Sequence, residues 1–328
     1  MRVFITGATG FIGGATAARL RDRGDDVVAL VRSPGKASDL AARGCELVEG
    51  SLSDTEAITA GMAGADAVIH CAADYRVGMH PNQKPDMFEA NVRGTEAVLR
   101  AAHETGVGRV VYVSTVAYFG NTQGRVVDET YERGPGYTSY YDETKHKAHL
   151  VAREVAQATG LPLVTVMPGA VYGPHDTSAI GIIMRQFLAG KMPAYMFPEA
   201  GFTFVHRDDV VDGILLALDK GVPGEEYTLG GETLTTRDAI EKVAQITGKR
   251  PPRITMPPLL IKASAPLGRF IGPMMGQGPN IRELITSAHN VTFWAGHEKA
   301  TRELGYSPRP FEQGLRDTLR EEGIPTPH

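Results

Sequence analysis

Cysteine is scarce in this chain: Cys45 and Cys71 are the only two among 328 residues. Two thiols cannot build a disulfide framework, and they suit a reducing, cytoplasmic setting. Charge of one sign is equally scarce. The 34 lysines and arginines face 38 acidic residues, for a net charge of -4, and no basic block stands out, so nucleic acid is not an expected partner. Long apolar runs are missing too. The stretch from Pro257 to Met275 is greasy, but Lys262, Arg269, Pro266 and Pro273 interrupt it, so no membrane span is expected, although the stretch could form a surface that accepts greasy substrates. The N-terminus runs from Met1 straight into a glycine turn without the apolar core of a secretory leader. Ten histidines show no metal-ligand spacing, so no metal is expected; His146 and His149, three apart, read as surface or packing residues. There is no Gly-x-Ser-x-Gly elbow for a hydrolase.

The composition that remains, 42% hydrophobic and 22% charged, is that of an ordinary folded chain. Its first half alternates strand and helix. Arg2–Ile5, Val27–Val31, Cys45–Val48, Ala67–Cys71, Val110–Ser114 and Leu163–Met167 read as buried strands. Between them the pattern predicts helices at 11–23, at 33–44 with Ser33-Pro34 as the cap, after a capping box at Ser53-Asp54-Thr55-Glu56, at about 87–104, and at 140–159 before Gly160. This order implies an α/β fold, a doubly wound Rossmann-type parallel sheet. Residues 1–168 form the expected dinucleotide-binding domain. Residues 169–328 form a smaller, interleaved substrate lobe, with segments near 203–230 returning to the sheet. In that lobe helices are expected near 180–188, 209–218, 236–247 and 311–321, and strands near 203–205 and 226–229.

Two motifs carry chemistry. Thr6-Gly7-Ala8-Thr9-Gly10-Phe11-Ile12-Gly13 is a glycine-rich strand-to-helix turn suited to a pyrophosphate. Gly7 permits the tight turn, Gly10 the close approach of backbone to phosphate, and Gly13 the packing of helix on strand. Tyr141 and Lys145 stand four apart, which puts a phenol and an ammonium on one helical face. A phenol is a poor base near neutrality, and a neighbouring ammonium and an oxidised nicotinamide would both draw it down. Tyr140 has Thr144 rather than Lys four residues on, and reads as a packing or substrate-contact residue. At the end of the second strand the chain has Val31-Arg32-Ser33, with Lys36 beyond, instead of a carboxylate. An Arg there accommodates a 2′-phosphate, so NADP is expected in preference to NAD.

The chain resembles the extended short-chain dehydrogenases/reductases, in the broad NAD(P)-dependent epimerase/dehydratase group, and dihydroflavonol-reductase-like and hopanoid-associated sugar epimerase-like proteins within it. The resemblance rests on residues 6–13, His70-Cys71-Ala72-Ala73, Asn91-Val92-Arg93-Gly94-Thr95, Val113-Ser114-Thr115, Tyr141 with Lys145, and Pro168-Gly169-Ala170-Val171-Tyr172-Gly173-Pro174, all in family order. It implies Tyr141 as general acid/base, Lys145 as its electrostatic partner and a ribose ligand, and Thr115 orienting the reacting oxygen with Ser114 as the fallback. It also implies cofactor contacts from Thr9, Phe11, Ile12, Ser51, Leu52, Ala72, Ala73, Asn91, Pro168 and Val171, and substrate contacts from Ser114, Tyr140, Tyr172 and Met184. In many relatives the helices around 91–104 and 141–159 make a four-helix contact, so a homodimer is expected. Three positions depart from the family pattern. Ser51 stands where an Asp usually lies near adenine. Met167 and Gly169 stand where nucleotide-sugar enzymes often have Arg and Asn.

The last two departures favour a reductase of a ketone or aldehyde on a fairly apolar small molecule. Met184, Phe187, Met196, Phe197, Met274 and Met275 suggest an adaptable apolar pocket. The competing reading is an epimerase or dehydratase of a nucleotide sugar. The dehydratase branch is disfavoured because Val116 and Ala117 supply no carboxylate beside Thr115. A third reading, an NADP-binding redox sensor without chemistry, conflicts with the retained Tyr141/Lys145 pair.

Overall fold

The computed structural model describes residues 1–263 and 280–325. Met274 and Met275, with Pro266, Arg269 and Pro273, lie outside the described residues. Seven parallel strands make the main sheet, in the order β3-β2-β1-β4-β5-β6-β9. They are β1 (Arg2–Thr6), β2 (Asp26–Val31), β3 (Glu46–Glu49), β4 (Ala67–His70), β5 (Arg109–Val113), β6 (Leu163–Pro168) and β9 (Glu226–Leu229). The reason these segments are strands is visible in their side-chain alternation. Val3, Ile5, Val27, Ala29, Val111, Val113, Val164 and Val166 point to one face and pack with helices Phe11–Asp22 and Arg207–Lys220. Phe4, Val28, Val68, Val110, Tyr112 and Leu163 point to the other and pack with helices Thr55–Met62, Gly94–Glu104 and Tyr140–Thr159. Both faces are covered, which is why these strands read as nearly continuous apolar runs.

The chain reverses direction across the sheet between β1 and β4. Such a switch point opens a crevice at the carboxyl ends of the strands. The registers align those ends: Thr6 pairs with Leu30 and with His70, His70 with Tyr112, and Val113 with Val166. The segments following Thr6, His70, Val113 and Val166 therefore all emerge at one edge.

A second sheet stands beyond that edge. β8 (Gly201–His206) pairs with β7 (Ala170–Tyr172) and β11 (Thr292–Phe293) in parallel, and with β10 (Glu232–Thr235) antiparallel. A third apolar cluster, including Tyr172, Phe187, Phe204, Ile240, Val243, Phe311 and Leu315, fills the space between this sheet and its helices. Gly169 alone separates β6 from β7, so one length of chain serves both sheets. No helix among the described residues is long and apolar enough to cross a membrane.

Several local expectations need correction. The helix expected over 33–44 is a short turn, Pro34–Lys36, followed by a helix at Ser38–Ala42, and Ser33 makes no side-chain cap. Asp54, not Ser53, caps the following helix, accepting from the Ala57 N–H at 3.0 Å. The long helix before Gly106 begins at Lys84 and carries a π-turn at Glu89–Arg93. Strands β7, β10 and β11 went unpredicted because runs of two to four residues show no usable periodicity.

Candidate active site

The glycine turn is shaped by contacts that leave no room for side chains. Gly7 has φ +75°, and a Cβ there would lie 2.7 Å from the Ala72 nitrogen. A Cβ on Gly13 would lie 2.2 Å from the Gly7 carbonyl oxygen. Gly10 is looser, with the Gly7 oxygen at 3.2 Å from its would-be Cβ, and it caps helix Phe11–Asp22 without any side-chain bond. The first-turn N–H groups of that helix thus face the crevice without a side-chain acceptor, at the positive end of the helix dipole. This is a cradle for an anion held by backbone alone, and it fits a dinucleotide pyrophosphate.

Helix Tyr140–Thr159 forms where Ser139 accepts from the Asp142 N–H at 3.1 Å, with Asp142 and Glu143 in its first turn and Gly160 in a left-handed cap at φ +71°. Asp142 is buried and accepts from both Arg133 guanidinium nitrogens, at 3.0 and 3.3 Å, and from the Thr138 N–H at 2.8 Å. This fixes the helix start against the loop before it. Tyr141 is half-buried at the crevice, with the Tyr75 ring edge-on to it at 4.7 Å between centroids. Lys145 is buried and donates to the Val113 carbonyl at 3.2 Å.

The expectation of a phenol drawn down by its ammonium neighbour is not met. Burial pushes the Tyr141 phenol above its ordinary value, Tyr75 and Tyr112 add to the shift, and the Thr115 hydroxyl, hydrogen-bonded to it, pulls the other way. Such a phenol is held protonated, but burial also makes it a weaker acid, so proton donation relies on groups that stabilise the phenolate formed.

Asn91, on the π-turn, has its amide committed within the protein. It accepts from the Asp74 N–H at 2.7 Å and donates to the Asp74 carbonyl and to Thr144 Oγ1, both at 3.0 Å. Thr144 in turn donates to the Tyr141 carbonyl. From the other side, Thr95 donates to the Asn91 carbonyl at 2.7 Å, so its oxygen accepts from His70 Nε2 at 3.0 Å. His70 Nδ1 is then left to accept from Thr6 Oγ1 at 2.7 Å, and Thr6 accepts from the Ala72 N–H. This tautomer follows from the network. One chain of hydrogen bonds joins β1, β4, the π-turn and the helix that bears Tyr141. Burial drives the His70 imidazole down to about 3, so it stays neutral.

A cavity of about 930 Å³ runs along this edge. Of the residues singled out from the sequence, Gly7, Gly10, Phe11, Ile12, Gly13, Ala73, Ser114, Thr115, Tyr141, Lys145, Pro168, Val171 and Met184 line it. Arg32, Ser33 and Lys36 do not line it. They are exposed just past the end of β2, beside the glycine turn by register, and Arg32 has no ion pair among the described residues. Ser51 bonds Ser53 at 2.9 Å, and Leu52 packs where a Cβ on Gly94 would stand. Two substrate residues are misplaced by the sequence reading. Tyr172 is 1% exposed and donates to the Phe311 carbonyl at 3.0 Å, so it belongs to the core. Tyr140 lies under the Lys84 ammonium at 4.6 Å and does not line the cavity. Ser114 was expected as the fallback for Thr115 rather than its companion. Both reach the cavity, because β5 ends at Val113 and the chain turns there.

Sequence reasoning missed the roles of two residues. Asp176 is 2% exposed on the cavity wall, holds Ser178 through its N–H and hydroxyl at 2.7 and 2.9 Å, and has its carboxyl pushed up by burial. His149 is fully buried, with Nε2 2.9 Å from Glu226 Oε1 and Nδ1 2.9 Å from Ser114 Oγ. The Glu226 carboxylate accepts from Nε2–H, so Nδ1 accepts from the Ser114 hydroxyl. The available signal was the spacing: His149 follows Lys145 by four residues and shares its face. Gly169 gains a physical reason for its departure. A Cβ there would lie 2.2 Å from the Thr203 carbonyl oxygen, so no Asn fits.

Comparison with known proteins agrees with this geometry. Residues 3–230 match the NAD dependent epimerase/dehydratase family. The chain is 30% identical to sterol demethylase protein B of Methylococcus capsulatus, across 99% of this chain and 100% of that protein. It is 31% identical to a putative dihydroflavonol 4-reductase of a Synechocystis species, across 96% and 93%. It is 30% identical to a farnesyl-dihydroquinoline-oxide ketoreductase of Stigmatella aurantiaca, across 98% and 97%. Among solved structures, gox2253 superposes with a TM-score of 0.81 at 34% identity over 98% of both chains. The dTDP-glucose 4,6-dehydratase DesIV of Streptomyces venezuelae, solved with NAD bound, does so with 0.78 at 26% over 98% and 96%. The chain belongs to the NAD dependent epimerase/dehydratase family and is an NAD(P)-dependent enzyme of the extended short-chain dehydrogenase/reductase type.

Proposed function

We propose that this enzyme reduces a ketone or aldehyde on a largely apolar small molecule, with NADP as its cofactor. One observation carries the reading: the cavity that begins at the glycine turn and passes Tyr141 and Thr115 continues into a chamber walled by Met184, Met192, Phe202, Phe204, Ile240 and Val243. That wall offers little to a charged nucleotide and much to a hydrocarbon skeleton. The names of the sterol and farnesyl-quinoline relatives point to substrates of the same character.

The bound nicotinamide supplies the hydride. Tyr141, protonated, gives its proton to the carbonyl oxygen, and Thr115 orients that oxygen by hydrogen bonding. Lys145 fixes the ribose side of the site and neutralises charge on the phenol once its proton has left. The backbone amides after Gly10 hold the pyrophosphate. Arg32 takes the 2′-phosphate with Ser33 and Lys36, since Val31-Arg32-Ser33 offers no carboxylate to compete for it. We take residues 1–168 as the cofactor-binding unit and the remainder as mainly substrate lobe, in a cytoplasmic homodimer. The test is a panel of aromatic, alicyclic and long-chain carbonyl compounds with NADPH. One reduced cofactor consumed per alcohol formed supports the reading. Interconversion of sugar-nucleotide epimers without net oxidation replaces it with the epimerase.

A further inference from the structure

The stretch over residues 249–261, which follows helix Thr236–Thr247, has two unlike faces. Its inner face closes the cavity through Met256 and Ile261, the latter 3% exposed and packed with Leu284 and Ile285. The segment is held in place by a short ladder, with Tyr195 N–H donating to the Ile254 carbonyl and Met256 N–H to the Tyr195 carbonyl, both at 2.9 Å, and by Arg237 on Thr255 at 3.3 Å. Its outer face carries Ile254, Leu259 and Leu260 at 63, 76 and 59% exposure. Scattered apolar side chains at a surface are ordinary, but three within seven residues of each other are not. Lys249, Arg250 and Arg253 stand exposed immediately before them and make no ion pair among the described residues. Residues 249–263 contain no acid. Arg237, which reaches Thr255, is itself paired with Glu199 at 3.7 Å.

We propose that this face docks the enzyme on an anionic lipid bilayer, with Ile254, Leu259 and Leu260 entering the interface and Lys249, Arg250 and Arg253 meeting the headgroup charge. Exposed leucines beside unpaired cations are the pairing that interfacial anchoring requires, and neither element alone gives more than marginal attachment. The occupant is a bilayer rather than a protein because the cations are exposed, single-signed and adjacent to the apolar tip, which suits a fluid array of phosphates. The location has a consequence for entry. The wall behind the docking face belongs to the apolar chamber, so a membrane-dissolved substrate reaches the site without crossing water. That consequence rests on the proposed substrate class; docking itself does not, because it is measured on the protein alone.

The experiment is co-sedimentation of the full chain with phosphatidylcholine vesicles, with and without phosphatidylglycerol. Binding is expected only to the anionic vesicles and is expected to fall with added salt. Arg250→Gln/Arg253→Gln should weaken it about 30-fold, from roughly fivefold for each cation. Leu259→Asp/Leu260→Asp should abolish it while leaving the thermal melt in place. Failure of the unmodified protein to bind anionic vesicles, equal binding to neutral ones, or undiminished binding by the leucine variant would overturn the proposal. So would light scattering that shows the leucine variant losing a dimer the unmodified chain forms, which would assign the face to a second copy. If docking is seen and the carbonyl panel is inert, the surface stands and the reductase reading falls.

Discussion

Replacing Gly13 by Ala separates what the glycine turn does for folding from what it does for binding. Helical alanine is intrinsically better than glycine by about 1 kcal/mol. Against that gain stands a methyl group 2.2 Å from the Gly7 oxygen and 2.7 Å from the Gly7 carbonyl carbon. Neither atom can yield cheaply, since Gly7 is itself pressed against the Ala72 backbone at φ +75°. Overpacking of this kind costs about 3 kcal/mol at the upper end of the usual range, which leaves a net loss of about 2 kcal/mol. Over 328 residues, an unfolding entropy near 2.1 cal/mol/K per residue converts this to a melting point lower by about 3 °C. Gly10→Ala meets only one atom, at 3.2 Å, and replaces a glycine cap by alanine, so its stability should change by less than about 1 kcal/mol. Its damage should appear in cofactor titration instead. The assay is calorimetric melting of both variants with and without NADPH. A Gly13→Ala protein that melts at or above the unmodified temperature refutes the packing argument.

Other consequences can be checked as directly. Tyr141→Phe should lower turnover by roughly 10²–10⁴-fold with cofactor affinity little changed, whereas Lys145→Ala should damage both; near-normal turnover in Tyr141→Phe transfers the proton to another donor. The unmodified protein should bind NADPH more tightly than NADH, and Arg32→Asp should abolish or reverse the order; equal affinities by titration defeat the assignment of Arg32. His70 is held neutral when folded, with its imidazole at about 3 against an ordinary 6.5, so its contribution is intact above 6.5 and drains as acid protonates the unfolded chain. The loss should be about 1.4 kcal/mol per pH unit between those values, seen as a steeper acid slope of stability than in His70→Gln; parallel slopes contradict it. Light scattering at micromolar concentration should give a dimer mass, and a monomer contradicts the expected helix pairing.

The sequence was most readable where one physical signal acted alone. The β1 turn and the helix over 140–159 follow from glycine spacing, a serine cap and a C-terminal glycine, and the helix bounds are those of the structure. The phenol was misread because its environment depends first on burial in the folded cleft and then on Tyr75, which lies far away in sequence and comes close only when the 71–79 loop folds back. Tyr172 was misread because its neighbours Phe311 and His206 come from elements more than 30 residues distant, and no local pattern reveals such a partner. The apolar chamber could be expected from the methionines and phenylalanines of the second half, but its continuity with the glycine turn needed the fold.

The single residue between β6 and β7 makes the two sheets mechanically one. Gly169 carries the chain from the reactive edge into the wall of the substrate chamber, pressed against the Thr203 backbone. β6 and β7 are each hydrogen-bonded into a sheet on either side of Gly169, so this seam is a poor place for a hinge. Of the walls of the proposed substrate chamber, helices Ala179–Leu188 and Thr236–Thr247 lie away from this seam. A substitution in β8 that displaces Thr203 would register as lost chemistry although it touches neither Tyr141 nor Lys145.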